Sequence, residues 1–361
     1  MSEQDHLAQV RQRIDDLDQQ IQDLLNARAA AAQEVAHIKL ATDPNAVFYR
    51  PEREAQVLRA VKERNQGPLG DEAVARLFRE IMSECLALEL PLKVGFLGPE
   101  GTFTQAAALK HFGHAVTSVP MAAISDVFQE VESGSCHYGV VPVENSSEGV
   151  VSHTLDMFLN SPLKICGEVT LRIHHNLLAT SGDLDKIKVV YSHQQSLAQC
   201  RGWLDRNLPS VELIPVGSNA EAARRACENA DSAAIASAMA AELYGLQVVV
   251  PNIEDEPDNT TRFLVIGQQA VPPSGDDKTS LLLSTRNESG GLYRLLSPLA
   301  EHGISMTRIE SRPSRRGNWD YVFFIDINGH RDDPQLAPAL TALKRQAGMF
   351  KELGSYPRAV L

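Results

Sequence analysis

The sequence KVGFLGPEGTFT occupies residues 93–104 and joins a short apolar run to a loop rich in glycine and threonine. Further apolar runs, each followed by helix-forming sequence or a polar loop, occur at residues 139–142, 188–191 and 246–250. Alternating strand and helix signals are typical of α/β domains built on a largely parallel sheet. We therefore predict an α/β domain over residues 92–270.

The sequence on either side of this segment has a different pattern. Before it, helix formers dominate, and breaks near residues 42–45 and 66–70 predict three helices within a domain at residues 1–91. After the proline- and glycine-rich linker at residues 271–277, the signals run strand, helix, strand, strand, helix, strand. This order predicts a ferredoxin-like α+β domain over residues 277–361. The chain is therefore expected to be a three-domain protein.

Composition excludes several classes of protein. With 361 residues, 43% hydrophobic and 22% charged, the chain is long enough for two or three domains and is neither disordered nor fibrous. Its net charge of −12 argues against nucleic acid as a partner. The absence of a signal-peptide pattern and of a spanning apolar run leads us to expect a cytoplasmic protein without membrane contact.

Motifs for metals and common cofactors are missing from the sequence. The five cysteines are scattered and form no CxxC pair, so neither a disulfide framework nor a zinc site is expected. The glycines form no GxGxxG or P-loop pattern, and there is no HExxH. We expect no metal and no cofactor.

The first helix combines an apolar seam with cations. Apolar residues recur at spacings of three and four, as in a helix packed along its length on a partner: Leu7, Val10, Ile14, Leu17, Ile21 and Leu24. Arg28 continues the seam, and Lys39 lies within about 20° of Arg28 on the same face. Arg11 is about 100° away, so a second subunit is better placed to use it. A long seam of this kind favours a dimer, although the charged residues alone are equally compatible with a bundle edge.

The helical residues resemble the all-helical chorismate mutases. Arg11, Arg28, Lys39 and Glu52, with the run YRPERE at residues 49–54, carry the resemblance. It implies three helices in an intertwined dimer that rearranges chorismate to prephenate without a nucleophile. Arg28 and the partner's Arg11 would bind the substrate carboxylates, Lys39 the ether oxygen and Glu52 the hydroxyl.

The third helix differs from one branch of that family. Cys85 and Glu89 stand where that branch has serine and glutamine, and both are expected to contact substrate. A glutamate can donate a hydrogen bond to the ether oxygen only when it is protonated. Burial would raise its pKa and neighbouring cations would lower it, so the sequence leaves the direction open. We hypothesise that Glu89 acts in its protonated form.

Polar loops of the central segment suggest an anion-binding cleft. They include residues 98–104, 142–149, 191–195 and 259–263. Ligands of open parallel sheets bind beyond the carboxyl ends of the strands, where loops and helix N-termini offer backbone N–H groups. Taken singly, each loop is equally compatible with a strand-to-helix turn.

Together these loops resemble prephenate dehydratase, which implies two lobes arranged as in periplasmic binding proteins. By that resemblance Thr261 is the residue closest to catalysis. It would assist the departure of hydroxide as prephenate loses water and carbon dioxide. The remaining candidates for substrate contacts are Thr102, Asn145, Ser146, Ser192, Gln195 and Arg262.

The last segment contains two motifs that resemble the regulatory ACT domain of prephenate dehydratases. One is Gly290, Gly291 and Leu292 at a helix start, and the other is Glu310, Ser311 and Arg312 at a strand end. The resemblance implies that phenylalanine binds there between subunits and acts as a feedback inhibitor. It further implies a homodimer or a higher homo-oligomer.

Two alternatives remain open. The chain is also compatible with a cytoplasmic amino-acid-sensing binding protein whose helices only dimerise it. Alternatively, the dehydratase is active and the mutase domain is not, because Phe48, Pro51, Cys85 and Glu89 depart from one branch of the mutase pattern.

Overall fold

The computed structural model describes residues 3–44, 46–285, 288–313 and 321–361. The N-terminal region consists of helices α1 (Glu3–Thr42), α2 (Pro51–Arg64) and α3 (Asp71–Glu89). The predicted helix limits are confirmed to within a few residues, although Asn45, which lies in the predicted break after α1, falls outside the described residues. With 40 residues, α1 is about 60 Å long.

Most of α1 extends away from the rest of the chain. Along its first two thirds, the seam residues Leu17, Ile21 and Leu24 are 49%, 54% and 70% exposed. Only toward its C-terminal end does α1 pack on α3. A row of exposed large apolar side chains is typical of a surface that is covered by another molecule.

The central region forms two lobes, each built on its own sheet. The elements, in chain order, are β1 (Lys93–Leu97), α4 (Phe103–Phe112), β2 (Thr117–Met121), α5 (Ile124–Glu132), β3 (Tyr138–Asn145), β4 (Gly149–Val150), α6 (Ser152–Phe158), β5 (Lys164–Arg172), β6 (Asn176–Ala179), β7 (Val189–His193), α7 (Gln194–Gln199), α8 (Arg201–Asn207), β8 (Glu212–Val216), α9 (Asn219–Cys227), β9 (Ser232–Ala236), α10 (Ala238–Tyr244), β10 (Gln247–Val250) and β11 (Thr260–Gly267).

The first lobe holds strands in the order β2-β1-β3-β11-β5, with β4 paired to β3, and the second holds them in the order β10-β6-β9-β7-β8. Both sheets are mixed, because β11 runs antiparallel to β3 and β5, and β6 runs antiparallel to β9 and β10. The prediction of one largely parallel sheet was therefore wrong. The chain crosses between the lobes twice, at residues 173–175 and 251–259.

The C-terminal region is a four-stranded antiparallel sheet with two helices on one face. Its elements are β12 (Asp277–Ser284), α11 (Gly291–Glu301), β13 (Met306–Pro313), β14 (Tyr321–Asn328), α12 (Leu336–Gln346) and β15 (Met349–Pro357). The strand order is β13-β14-β12-β15. Leu281 and Leu283 of β12 are buried among leucines of α11 and α12.

The other face of this sheet packs on the first lobe of the central region. Leu282, Phe324 and Leu353 belong to the same buried cluster as Val141 and Leu264 of the first lobe. Strand β15 lies so close to β5 that a Cβ on Gly354, which has φ of +155°, would stand 2.3 Å from the carbonyl oxygen of Ile165. The two sheets therefore meet backbone to backbone at this point.

The helical region also contacts the first lobe directly. Tyr49, in the loop before α2, is buried against Phe112 and Tyr138 and hydrogen-bonds through its hydroxyl to His111 Nε2 at 2.8 Å. Arg79 of α3 pairs with Glu54 of α2 and donates to the carbonyl of His111. The helical region and the C-terminal region thus pack on the same lobe of the central region.

Candidate functional site

A cleft of about 650 Å³ lies between the two lobes of the central region. Its walls come from the loop after β1, the β3–β4 loop, both interlobe crossovers, and the starts of α7 and α9. The principal polar residues that line it are Thr102, Thr104, Asn145, Glu148, His175, His193, Gln195, Ser196, Gln199, Ser218, Asn219, Asn259 and Thr261. Of the described residues that line it, none is a lysine or an arginine.

Thr261 lines this cleft and is 9% exposed. Its hydroxyl oxygen accepts a hydrogen bond from Asn145 Nδ2 at 2.7 Å. Register explains the contact, because Thr261 of β11 is paired directly with Asn145 of β3. With an acceptor site of the oxygen occupied, the hydroxyl proton is free to be donated to a molecule in the cleft.

A chain of side-chain amides continues from Asn145 across the cleft wall. Asn145 Nδ2 also donates to Asn259 Oδ1 at 2.8 Å, and Asn259 Nδ2 donates to Gln199 Oε1 at 3.0 Å. Gln199 Oε1 lies 2.8 Å from His175 Nε2, and Gln199 Nε2 donates to Glu148 at 3.3 Å. The chain links the first lobe, both crossovers and the second lobe.

Four of the central candidates line the cleft: Thr102, Asn145, Gln195 and Thr261. Thr102 also caps α4, since its hydroxyl accepts from the N–H of Gln105. Gln195 donates to Glu148 at 3.4 Å. The structure therefore brings together residues that come from loops far apart in the sequence.

Two of the other candidates support the loops without lining the cleft. Ser192 is fully buried, and its single hydroxyl proton is shared between the carbonyl of Ile235 at 2.8 Å and Asn219 Oδ1 at 3.0 Å. Ser146 is exposed, and its hydroxyl accepts from the N–H of Thr260 at 2.9 Å. Ser192 thereby positions Asn219, which does line the cleft.

Arg262, expected as a candidate for substrate contacts, is directed away from the cleft and does not line it. Its guanidinium pairs with Glu168 at 2.9 Å and Asp326 at 2.6 Å, and donates to Tyr356 at 3.0 Å. Successive side chains of a strand point to opposite faces, so Thr261 and Arg262 face opposite sides of β11. Arg262 links the first lobe to the C-terminal sheet.

Sequence reasoning missed several residues of the cleft, namely Glu148, His175, Gln199, Asn219 and Asn259. Two signals were available. Glu148 and Asn259 stand within the polar loops at residues 142–149 and 259–263, and His175 directly precedes the short strand β6. The position of Gln199 at the end of α7 gave no such signal.

In the helical region, Arg28, Lys39 and Glu89 lie close together. Burial raises the pKa of Glu89 above its usual value, against the opposing effects of Lys39 and of Arg28. Lys39 Nζ also lies 5.4 Å from the centre of the Phe48 ring and donates to the carbonyl of Val47 at 3.4 Å. The direction that the sequence left open for Glu89 is therefore toward the protonated form.

Of the remaining candidates in the helical region, Glu52 and Cys85 are buried, whereas Arg11 lies on the exposed part of α1. Glu52 is buried and pairs with Arg50. Its Oε2 atom is buried without a hydrogen-bond partner among the described residues. Cys85 is buried one turn before Glu89. Arg11 is exposed and stands 17 residues before Arg28, about 25 Å along the helix axis, so it does not join this cluster within one chain.

The C-terminal candidates occupy two places. Gly290, in a left-handed conformation, precedes α11, and Gly291 and Leu292 form its first turn. Glu310, Ser311 and Arg312 lie on β13, an edge strand of the sheet. Arg312 does not stand free: its guanidinium contacts Ser152 and Asp156 of α6, the latter at 3.1 Å.

Neither a metal-binding cluster nor a membrane-spanning helix occurs within residues 3–44, 46–285, 288–313 and 321–361. No group of three or more histidine, cysteine, aspartate or glutamate side chains there could hold a metal ion. Among the same residues, no helix is both long and apolar enough to cross a bilayer.

Comparison with known families agrees with this division of the chain. The model for chorismate mutase type II matches residues 10–90, the model for prephenate dehydratase matches residues 94–271, and the ACT domain model matches residues 279–345. A solved prephenate dehydratase in complex with L-Phe from Arthrobacter aurescens is 35% identical with a TM-score of 0.69, covering 74% of this chain and 90% of that one.

Two relatives extend the likeness to the full length. The bifunctional chorismate mutase/prephenate dehydratase of Stutzerimonas stutzeri is 59% identical, and that of Pseudomonas aeruginosa is 58% identical. In both cases the match covers 100% of this chain and 100% of the relative. The chain therefore belongs to the family of bifunctional chorismate mutase/prephenate dehydratases.

Proposed function

We propose that this enzyme catalyses two consecutive reactions in separate sites. The helical region rearranges chorismate to prephenate, and the interlobe cleft converts prephenate to phenylpyruvate. Phenylalanine, which has the carbon skeleton of the final product, binds the C-terminal region and inhibits the second reaction. We assign these three tasks to residues 1–91, 92–270 and 277–361, the last with a ferredoxin-like fold.

The dehydratase step requires a proton at the leaving hydroxyl. The bond between the ring and its carboxylate breaks, and its electron pair enters the ring as carbon dioxide departs. The ring C–O bond then breaks, and the hydroxide takes up one proton to leave as water. Because the ring becomes aromatic, the protein has mainly to assist this departure.

The observation that carries the proposal is the Thr261–Asn145 contact in the cleft. With its oxygen accepting from Asn145, Thr261 is set to donate its proton toward the leaving hydroxyl. A threonine hydroxyl is a weak acid, so Thr261 orients and hydrogen-bonds the leaving group while the transferred proton comes from another donor or from water.

Because no described residue that lines this cleft is a lysine or an arginine, the carboxylates of prephenate have to be bound by uncharged hydrogen-bond donors. Thr102 and Thr104 line it at the start of α4, and Ser218 and Asn219 line it at the start of α9. Helix N-termini present unpaired N–H groups and partial positive charge to anions. We assign the two carboxylates to these helix starts, one on each lobe.

The mutase reaction requires the opposite kind of site, with fixed cations. The rearrangement is pericyclic, so catalysis consists of holding the compact conformer and stabilising charge on the ether oxygen. We assign Arg28 to a carboxylate, Lys39 and protonated Glu89 to the ether oxygen, and Cys85 to a contact with the substrate. The unpartnered Oε2 atom of Glu52 suits the substrate hydroxyl.

This mutase site needs a second subunit. Arg11 lies too far along α1 to reach the site of its own chain, and the exposed seam of α1 offers the surface for pairing. We infer an intertwined homodimer in which each α1 brings Arg11 to the site of the other chain.

Regulation is assigned to the two motifs of the C-terminal region. We place phenylalanine at residues 290–292 and 310–312, between subunits. The related enzyme from Arthrobacter aurescens was solved in complex with L-Phe, which supports the ligand. Inhibition requires that phenylalanine bind two states of the enzyme with different affinities.

One experiment separates this proposal from its alternatives. The purified chain is incubated with chorismate, and prephenate and phenylpyruvate are followed separately, with and without phenylalanine. We expect both products, and phenylalanine should slow only the second. An amino-acid-binding protein would form neither product, and a chain with an inactive mutase would consume only added prephenate.

The role of Thr261 is tested by Thr261→Val, which keeps the shape of the side chain and removes its hydroxyl. We expect the dehydratase kcat to fall by about 100-fold or more, the usual effect of losing a donor to developing negative charge. The mutase rate of the same preparation should be unchanged and serves as the folding control. A dehydratase rate near that of the unaltered enzyme would contradict the assignment.

A further inference from the structure

His175 occupies the first crossover between the lobes and is 2% exposed. Its backbone is held by the second crossover, because its N–H donates to Glu254 at 2.9 Å and its carbonyl accepts from Ile253 at 2.8 Å. The ring packs edge-on against Phe103 and places Nε2 2.8 Å from Gln199 Oε1. The ring is therefore fixed at the far end of the amide chain that leads to Thr261.

Backbone N–H groups fix the orientation of the first side-chain amide in this hydrogen-bonded chain. Asn145 Oδ1 accepts from the N–H groups of Ser147 and Glu148, each at 3.0 Å. The Nδ2 group must then face Thr261 and Asn259, so Asn259 presents its oxygen to Asn145 and its Nδ2 to Gln199. Every amide orientation from Thr261 to Gln199 follows from this anchor.

The carboxylate of Glu148 fixes the orientation of the Gln199 amide in the same sense. Glu148 accepts hydrogen bonds when ionised, so the Nε2 group of Gln199 must face it. Gln199 Oε1 consequently faces both Asn259 Nδ2 and His175 Nε2. Since this oxygen is an acceptor, His175 has to offer a proton on Nε2.

We propose that His175, as the neutral tautomer protonated on Nε2, is a positioning residue of the dehydratase reaction. It locks Gln199 and, through Asn259 and Asn145, holds the Thr261 hydroxyl with its proton directed to the substrate. The proposal rests on the dehydratase function assigned above.

Two further observations agree with this tautomer. Burial lowers the pKa of His175, so the ring is neutral at neutral pH. Its Nδ1 atom is buried and has no hydrogen-bond partner among the described residues. A proton on Nδ1 would therefore be an unsatisfied buried donor, whereas a bare nitrogen there is tolerated more easily.

The test compares two substitutions in the full chain with prephenate as substrate. Glutamine reproduces a donor near the position of Nε2, and leucine fills the space without one. We expect His175→Leu to lower the dehydratase kcat by about tenfold or more while KM changes little, and His175→Gln to recover most of the loss. His174→Gln is the matched control, because the neighbouring ring pairs with Glu254 outside the cleft.

A spectroscopic readout does not depend on how well the leucine variant folds. In protein labelled with ¹⁵N-histidine, the signals lost in His175→Gln should be those of a ring protonated on Nε2 and bare on Nδ1. A ring protonated on Nδ1 would overturn the proposal, as would a His175→Leu variant with unaltered kcat or a folded His175→Gln variant as slow as leucine. If the unaltered chain formed no phenylpyruvate from prephenate, the assigned function would fail instead.

Discussion

The protonation state of the single residue Glu89 depends on opposing effects on its pKa. Burial favours its neutral form, and the nearby Lys39 and Arg28 favour its ionised form. Burial has the larger effect, so its pKa is raised. Glu89 can then supply the hydrogen bond that a glutamine would supply at the same position.

We predict a pH dependence of the mutase reaction from this state. An acid with a raised pKa keeps its proton to higher pH and loses it as the pH rises further. The mutase kcat should therefore fall with rising pH, and Glu89→Gln, which donates at every pH, should flatten the profile. The measurement is prephenate formation between about pH 4 and 9. Superimposable profiles for the two proteins would remove the role of the proton.

Neighbouring residues of one strand show what sequence can say about a site. Residues 259–263, expected as a polar loop, are mostly the beginning of β11, and Thr261 lines the cleft. Arg262 could not share that role, because adjacent strand residues face opposite ways. Its partners Glu168 and Asp326 are 94 and 64 residues away, so only the fold identifies them.

At the scale of elements, α1 is the clearest case of a helix incomplete by itself. Its limits and apolar seam follow from residue spacing, and its length exceeds what α2 and α3 can cover. By contrast, strand direction in the two lobes did not follow from local sequence. Antiparallel pairing of β11 between β3 and β5 depends on the second crossover returning the chain to the first lobe.

We predict that a charge in this seam separates the two activities. Ile21→Lys should dissociate the dimer and lower the mutase rate by about tenfold or more, because a lysine in an apolar interface loses its hydration. The dehydratase should retain its activity on added prephenate. Sedimentation velocity and both assays check this outcome.

A suitable control is Gln19→Lys, which adds the same charge on the opposite face of α1. This variant should remain dimeric and active in both reactions. Were Ile21→Lys still a dimer with full mutase activity, pairing through the seam would be refuted.

Strand β13 connects the proposed phenylalanine site to the dehydratase cleft. Arg312 reaches α6, and Arg308 pairs with Glu144 at 3.0 Å, next in sequence to Asn145. The Arg308 side chain is 12% exposed and that of Glu144 is 40% exposed, so the pair is buried on the β13 side and open to solvent on the β3 side. A shift of β13 would therefore displace Glu144 and the adjacent Asn145, which positions Thr261.

We predict that Arg308→Met weakens inhibition without weakening phenylalanine binding. Arg308 lies outside the phenylalanine motifs, and its loss removes one link to β3. Maximal inhibition should fall by about twofold or more, while calorimetry returns an unaltered Kd for phenylalanine. If inhibition and binding declined together, or neither changed, Arg308 would not be part of the coupling.

The whole molecule is organised around the first lobe, on which the helical region, the second lobe and the C-terminal sheet all pack. The order of the three regions could be predicted from changes in residue pattern along the chain. Their packing could not be predicted, because it depends on contacts such as Tyr49 on Phe112 and Gly354 on Ile165, which join distant parts of the chain. Surface shape, rather than any local pattern, determines such contacts.

The composition of the cleft wall has a consequence for how substrate arrives. Of the described residues that line it, Glu148 is the one carboxylic acid and none is a lysine or an arginine, and the chain as a whole carries −12. A dianion approaching the cleft is therefore repelled at long range and captured only by short-range amide dipoles. Dissolved ions screen the repulsion over about 10 Å at 0.1 M and hardly affect the dipoles. Added sodium chloride should accordingly raise the dehydratase kcat/KM, whereas an equal osmolality of sucrose should not. A decrease of kcat/KM with salt would instead indicate a positive electrostatic potential that attracts the substrate to the cleft.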